Sequence, residues 1–144
     1  MLLTGTHSRT LDEKNRLTLP KRVREQLGDV SVLFVTPGLD QCLWLFNRQG
    51  LEGLAAKIDE APSSNTEVRL FRRLFFSRTE ETEIDASGRI LIPDWLVSQA
   101  KLRHDVVLLG VRDHLELWDA GLWRSYFGDN SSRFDAAAEL AFRK

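Results

Sequence analysis

Apolar and polar positions alternate in short bursts along most of the chain, and each burst ends at a turn residue. Leu17 and Leu19 alternate with Arg16 and Thr18, and much later Ile90 and Ile92 flank Leu91. A period of two predicts short strands with one face buried. Pro20 and Pro93 follow these strands, and proline suits the first position of a helix. Val23 and Leu27 stand four apart behind Pro20, with Leu96 and Ala100 in the matching places behind Pro93. Each pair predicts a short helix, the first stopped by Gly28. Two apolar runs come next in each half. Val32–Val35 and Cys42–Phe46 flank a turn over 36–41, and Val106–Val111 and Leu115–Asp119 flank a turn at Arg112–His114. Each pair reads as a β-hairpin.

The same elements in the same order mean an internal duplication. Leu11-Asp12-Glu13-Lys14-Asn15-Arg16-Leu17-Thr18-Leu19-Pro20 is answered by Ile84-Asp85-Ala86-Ser87-Gly88-Arg89-Ile90-Leu91-Ile92-Pro93, at a constant offset of 73 residues. Asn15 and Gly88 occupy the same place before the arginine. These residue types best tolerate a left-handed backbone, so the exchange predicts a tight turn with positive φ. Asp12 and Asp85 read as structural, orienting the turn or its arginine. A repeat of this size buries too little by itself, so the two copies are expected to pack on each other as an intramolecular pseudo-dimer.

Between the repeats Leu51, Leu54, Ala55 and Ile58 fall at helical spacing. Ser64 and Glu67 form a capping-box pattern. It opens a helix that carries Val68, Phe71 and Phe75 on one side and Arg69, Arg72 and Arg73 beside them. After the second repeat, Leu122 to Phe127 and Ala136 to Phe142 suggest two more short helices. The division that follows is 5–47 for repeat 1, 48–79 for a helical connector, 80–123 for repeat 2 and 124–144 for a helical tail.

Composition narrows the function. The formal net charge is −1, from 20 basic and 21 acidic residues. Overall charge therefore does not announce a nucleic-acid binder, and any such role must rest on local clustering. Cys42 is the one cysteine and sits in an apolar run, as a small buried hydrophobe would. No run is long enough to cross a bilayer, and the first residues lack a signal pattern. A cytoplasmic location is the resulting expectation. His7, His104 and His114 are scattered without metal-ligand spacing, and there is neither a phosphate-cradling glycine loop nor a nucleophile elbow. Neither an enzyme nor a cofactor is expected.

The doubled motif, the segment Arg69-Leu70-Phe71-Arg72-Arg73-Leu74-Phe75-Phe76 and Leu115-Glu116-Leu117-Trp118 resemble the MraZ family of bacterial transcriptional regulators, over nearly the whole chain. The resemblance implies an α+β fold of two tandem swapped-hairpin SpoVT/AbrB-like repeats, with connecting and C-terminal helices. It implies a nucleoid-associated protein that binds double-stranded DNA as a ring-shaped homo-oligomer. Its expected targets are repeated promoter boxes of the cell-division and cell-wall gene cluster. The family's aspartate–arginine motif falls on Asp12 and Arg16 and on Asp85 and Arg89. Asn15 departs from the glycine the family usually carries there.

Two roles stand open for Arg16: an ion pair that closes its turn with Asp12, and contact with DNA. An arginine fork suits phosphate or the acceptor edge of guanine. Arg89 takes the same reading. Lys14, Lys21, Arg22 and Arg24 lie near Arg16 along the chain and are candidate phosphate contacts, or else a solvated face. On that count the first copy carries most of the recognition. Arg69, Phe71, Arg72, Arg73 and Phe75 are candidates for an interface between subunits, with the arginines pairing acids of a neighbour. The alternative is a protein-binding scaffold or antitoxin-like module of the same fold with no DNA target.

Overall fold

The computed structural model describes residues 1–143, so Lys144 at the end of the expected tail lies outside it. The elements in chain order are β1 (Thr6–Thr10), β2 (Arg16–Thr18), α1 (Lys21–Leu27), β3 (Val32–Pro37), β4 (Leu43–Phe46), α2 (Arg48–Asp59), α3 (Thr66–Ser77), β5 (Glu80–Glu83), β6 (Arg89–Leu91), α4 (Asp94–Gln99), β7 (Asp105–Gly110), β8 (Leu115–Asp119), α5 (Ala120–Asn130) and α6 (Phe134–Ala141). A 3-10 turn at Ser131–Arg133 joins the last two helices.

Strands from the two repeats are interleaved. The main sheet has six strands in the order β1-β7-β8-β4-β3-β5, and β2 and β6 form a separate two-stranded ribbon. All neighbours are antiparallel. Exchanging each strand for its counterpart (β1 for β5, β3 for β7, β4 for β8) reads the order backwards, so the sheet has a pseudo-two-fold axis between β4 and β8. Two pairs of equivalent residues mark it: Trp44 opposite Glu116, and Leu17 opposite Ile90 in the ribbon. β1 leaves its own repeat to pair with β7, and β5 pairs with β3.

The core follows from strand alternation. Leu33, Val35, Leu43, Leu45, Val106, Leu108, Leu115 and Leu117 point to one face of the sheet. Leu17, Leu19, Ile90 and Ile92 of the ribbon segments, with Val23, Leu27, Leu96 and Ala100 around α1 and α4, close over them. Burial of each such aliphatic chain contributes about 1.5–3 kcal/mol. On the other face Val107, Leu109 and Trp118 pack under Leu122 and Trp123 of α5. Phe75 of α3 meets Trp44 edge-on there, ring centroids 6.3 Å apart.

Local chemistry sets the helix ends. Gly28 stops α1 with φ 80°, and Lys101 takes the equivalent left-handed place after α4 with φ 55°. Pro20 and Pro93 precede their helices by one residue, with ψ 145°, rather than opening them. The expected capping box is also displaced. Asn65, not Ser64, caps α3, its Oδ1 accepting from the N–H groups of Glu67 at 2.9 Å and Val68 at 3.4 Å. Asparagine one residue nearer the helix reaches the same orphan donors. α5 runs through the 123/124 boundary, because Trp123 and Tyr126 pack on Trp118.

Candidate nucleic-acid interface

Each copy of the motif folds into one turn held by one carboxylate. Asp12 Oδ1 accepts from the backbone N–H of Lys14 at 2.9 Å and of Arg16 at 2.8 Å. Its Oδ2 accepts from Arg16 Nε at 2.6 Å. Asp85 repeats this with Ser87 and Arg89, the backbone bonds at 2.9 Å and the Arg89 Nε bond at 3.0 Å. Asn15 and Gly88 both have positive φ, 59° and 80°. The backbone N–H of Arg16, then its side chain and charge, holds Asp12 below the usual carboxylate range, and Arg89 does the same for Asp85. Both carboxylates therefore stay ionised, which suits positioning rather than proton transfer.

In this geometry each guanidinium bonds its aspartate along one edge only. The aspartate engages Nε alone. Among the described residues neither arginine donates a further side-chain bond, so the outer Nη edge remains for a second acceptor. About a third of each arginine side chain is exposed.

The ribbon sets what surrounds these arginines. Leu17 and Ile90 point inward, so Arg16, Thr18, Arg89 and Leu91 share the outer face. Arg16 stands opposite Leu91, and Arg89 opposite Thr18. Thr18 and Leu91 belong to this surface although sequence reasoning passed over them. The signal was present: they alternate with the buried positions. Leu91 is 53% exposed, unusual for a leucine in a strand.

The neighbours of each arginine differ from those suggested by chain order. Lys14, Lys21, Arg22 and Arg24 are all exposed; Lys14 lies in the first turn itself, but Lys21, Arg22 and Arg24 do not gather around it. Leu19 N–H donates to the Gly88 carbonyl at 2.9 Å, which delivers α1 to the second turn. A Cβ on Gly88 would stand 2.7 Å from Arg24 Nη1, so the Arg24 guanidinium lies over that glycine. The first turn receives α4 instead: Ile92 N–H donates to the Asn15 carbonyl at 2.9 Å, and Asn15 Nδ2 donates to Asp94 Oδ1 at 2.7 Å.

Two arginines of α3 find partners within the chain. Arg72 pairs Asp59 at 3.1 Å, and Arg69 donates to the carbonyls of Ser63 and Ser64. The Arg72–Asp59 pair spans α2 and α3, which are joined by a short turn, and both side chains remain partly open to solvent. Arg73 is exposed. Phe75 is 3% exposed and belongs to this chain's own core, while Leu70, Phe71 and Leu74 face outward at 47%, 41% and 50%.

Other chemistry is sparse. Burial pushes the Cys42 thiol far above its ordinary pKa, so it is not a nucleophile at neutral pH. Among the described residues no group of three or more His, Cys, Asp or Glu could hold a metal ion, and no helix is long and apolar enough to cross a membrane.

Comparison with known proteins agrees with the doubled architecture. The family model described as "MraZ protein, putative antitoxin-like" matches twice, over residues 2–74 and 75–144. A relative from Moorella thermoacetica named "Transcriptional regulator MraZ" is 38% identical over 138 residues, covering 96% of this chain and 95% of its own. Relatives of the same name are 39% identical in Saccharopolyspora erythraea, over 96% and 95% of the two chains, and 38% identical in Acetivibrio thermocellus, over 94% and 93%. With two matched repeats and relatives at this identity over nearly their full length, the chain belongs to the MraZ family of transcriptional regulators, which are not enzymes.

Proposed function

We propose that this regulator acts by binding double-stranded DNA through the outer face of the β2–β6 ribbon. Residues 5–47 and 80–123 are the repeats proper, of the swapped-hairpin SpoVT/AbrB-like class, and 48–79 is their connector. The strand exchange between the halves supports that class. The observation that carries the function is the pair of outward arginines, each oriented by an aspartate through Nε and each offering its Nη edge. A two-stranded ribbon fits the major groove, where an apolar group such as Leu91 matches a thymine methyl and an arginine fork offers paired donors to a phosphate or to the acceptor edge of guanine. Lys14, Lys21, Arg22 and Arg24 then contact phosphates and fix the register.

With a net charge of −1, a single chain binds weakly. Several chains in a ring on repeated promoter boxes gain affinity through effective concentration. The apolar outer face of α3 supports such assembly. The targets in this reading are boxes in the cell-division and cell-wall gene cluster, its own promoter included, and the protein works at the nucleoid in the cytoplasm.

A gel-shift on the DNA upstream of its gene tests this. Discrete bands that depend on the number of boxes are expected, together with their loss in Arg16→Ala/Arg89→Ala. Binding should weaken with salt, with a log–log slope of about −0.9 per phosphate neutralised. No retention above a scrambled duplex would favour the protein-binding, antitoxin-like alternative.

A further inference from the structure

The two motifs match closely within themselves, but the strand exchange gives them opposite surroundings. Each turn is packed by the helix of the other repeat. Offset by 73, Lys21 of α1 corresponds to Asp94 of α4, and Arg24 corresponds to Val97. The second turn therefore receives the helix with Lys21, Arg22 and Arg24. The first receives the helix with Asp94, already bonded to Asn15. The hollow beside the first turn is further bordered by Glu13, Glu80 and Glu81, with Lys14 as its one basic residue.

We infer that the principal phosphate site is composite, with Arg24 from the first repeat and Arg89 from the second converging on the Gly88 turn, and that it takes a backbone phosphate of duplex DNA. The inference rests on the DNA-binding reading above and assigns that reading its stronger half. The bare Cα of Gly88 is what lets the Arg24 guanidinium lie on the turn, since an added Cβ would meet its Cζ at 3.0 Å. Arg24 makes no side-chain hydrogen bond to an acid among the described residues, so its charge is not neutralised there by a bonded carboxylate. Arg89 has its Nη edge open on the same turn. An anion held between two such groups makes charge-assisted bonds with both. At the first turn Asp94 and Glu13 stand where the second has Lys21 and Ala86, with Lys14 in place of Ser87 the one basic residue added there, and like charges close to a phosphate lower its affinity. Arg24 is thus a contact residue of the second motif, although it follows the first in sequence.

The test is fluorescence anisotropy of a labelled duplex from the protein's own upstream region, titrated with the full chain. Arg24→Ala and Arg89→Ala should each raise Kd about tenfold, and the double variant should fall short of the product of the two, as for one shared site. Arg16→Ala should raise Kd less than about threefold. Asp94→Lys leaves both motif carboxylates in place and should tighten binding by making the first turn resemble the second. Thermal melts of Arg24→Ala should match the parent, since that side chain is exposed, whereas Asp94→Lys loses the Asn15 bond and the acid in the first turn of α4 and should melt slightly lower while still folding. The inference is overturned if Arg16→Ala costs as much as Arg89→Ala, if Arg24→Ala leaves Kd unchanged, or if Asp94→Lys brings no gain. Failure of the parent chain to bind any duplex is a separate result, visible before any variant is made, and removes the DNA reading itself.

Discussion

Leu17 stands opposite Ile90, the residue at its own position in the second repeat, and both are essentially inaccessible to solvent. The pseudo-two-fold axis passes through this pair. The ribbon that carries Arg16 and Arg89 is therefore anchored to the core at the point where the repeats meet. Leu17→Ala and Ile90→Ala should each cost about 2–5 kcal/mol, a buried aliphatic chain replaced by a cavity. Denaturant unfolding gives the number. The double variant should not be additive, because both changes open one space. A cost under about 1 kcal/mol for either would mean the ribbon is not part of the cooperative core.

Asp119 ends β8 and begins α5 with the same carboxylate. Its Oδ2 accepts from the N–H groups of Gly121 at 3.1 Å and Leu122 at 3.2 Å, and its Oδ1 from Arg103 N–H at 3.1 Å. Asp119→Ala should lower stability by about 1–2 kcal/mol through loss of the cap. Asp119→Asn, which keeps an acceptor oxygen, should lose less. Thermal melts followed by circular dichroism separate the two. Arg103→Ala should matter least, because that side chain is 78% exposed and its ion pair is open to solvent.

His114 gives the fold a pH dependence of predictable sign. Burial alone pulls its pKa down, but the carboxylates of Glu116 and Asp113 outweigh burial and leave it raised. Asp113 Oδ1 lies 2.7 Å from Nδ1, and Glu116 Oε2 lies 3.6 Å from Nε2, an ionic contact longer than a hydrogen bond. A raised folded pKa means the stabilisation is complete below the unfolded value of about 6.5 and is lost as pH rises through the folded value. Trp44 reports on the site, its ring edge-on to the imidazole with centroids 5.4 Å apart. Tryptophan emission and denaturation midpoint should both change across that interval in the parent chain. In His114→Phe the step in the midpoint should vanish. An unchanged step would place its origin elsewhere.

The ring proposed above would be closed through the exposed apolar face of α3. Leu70→Asp/Leu74→Asp should reduce the mass measured by light scattering toward that of one chain, without disturbing the fold, because both side chains are already half in water. Burying a new charge in an apolar contact between chains costs several kcal/mol. An unaltered mass would remove α3 from the interface.

Much of this organisation is legible along the chain. Strand periodicity, the paired prolines and the Asn15/Gly88 exchange reveal the repeats and their left-handed turns, because those signals depend on a few adjacent residues. The cap of α3 was misplaced by one residue, since Ser64 and Asn65 carry competing acceptors and only the entry angle of the chain selects Asn65. Phe71 and Phe75 look alike on a helical wheel, yet Phe75 is buried and Phe71 is not. The position of Trp44 decides that.

The sequence by itself determined the duplication, the element order, the turn built by each aspartate and arginine, and the family. Local backbone preference and the period of burial are enough for these. Tertiary structure decided which basic residues stand beside which arginine. Neighbours along the chain suggested that Lys21, Arg22 and Arg24 serve Arg16. Strand exchange instead carries α1 to the Gly88 turn and Arg24 onto it, and it brings Asp94 to Asn15. The physical reason is pairing: backbone donors at Leu19 and Ile92 find their acceptors in the opposite repeat, and the helices that follow must go with them.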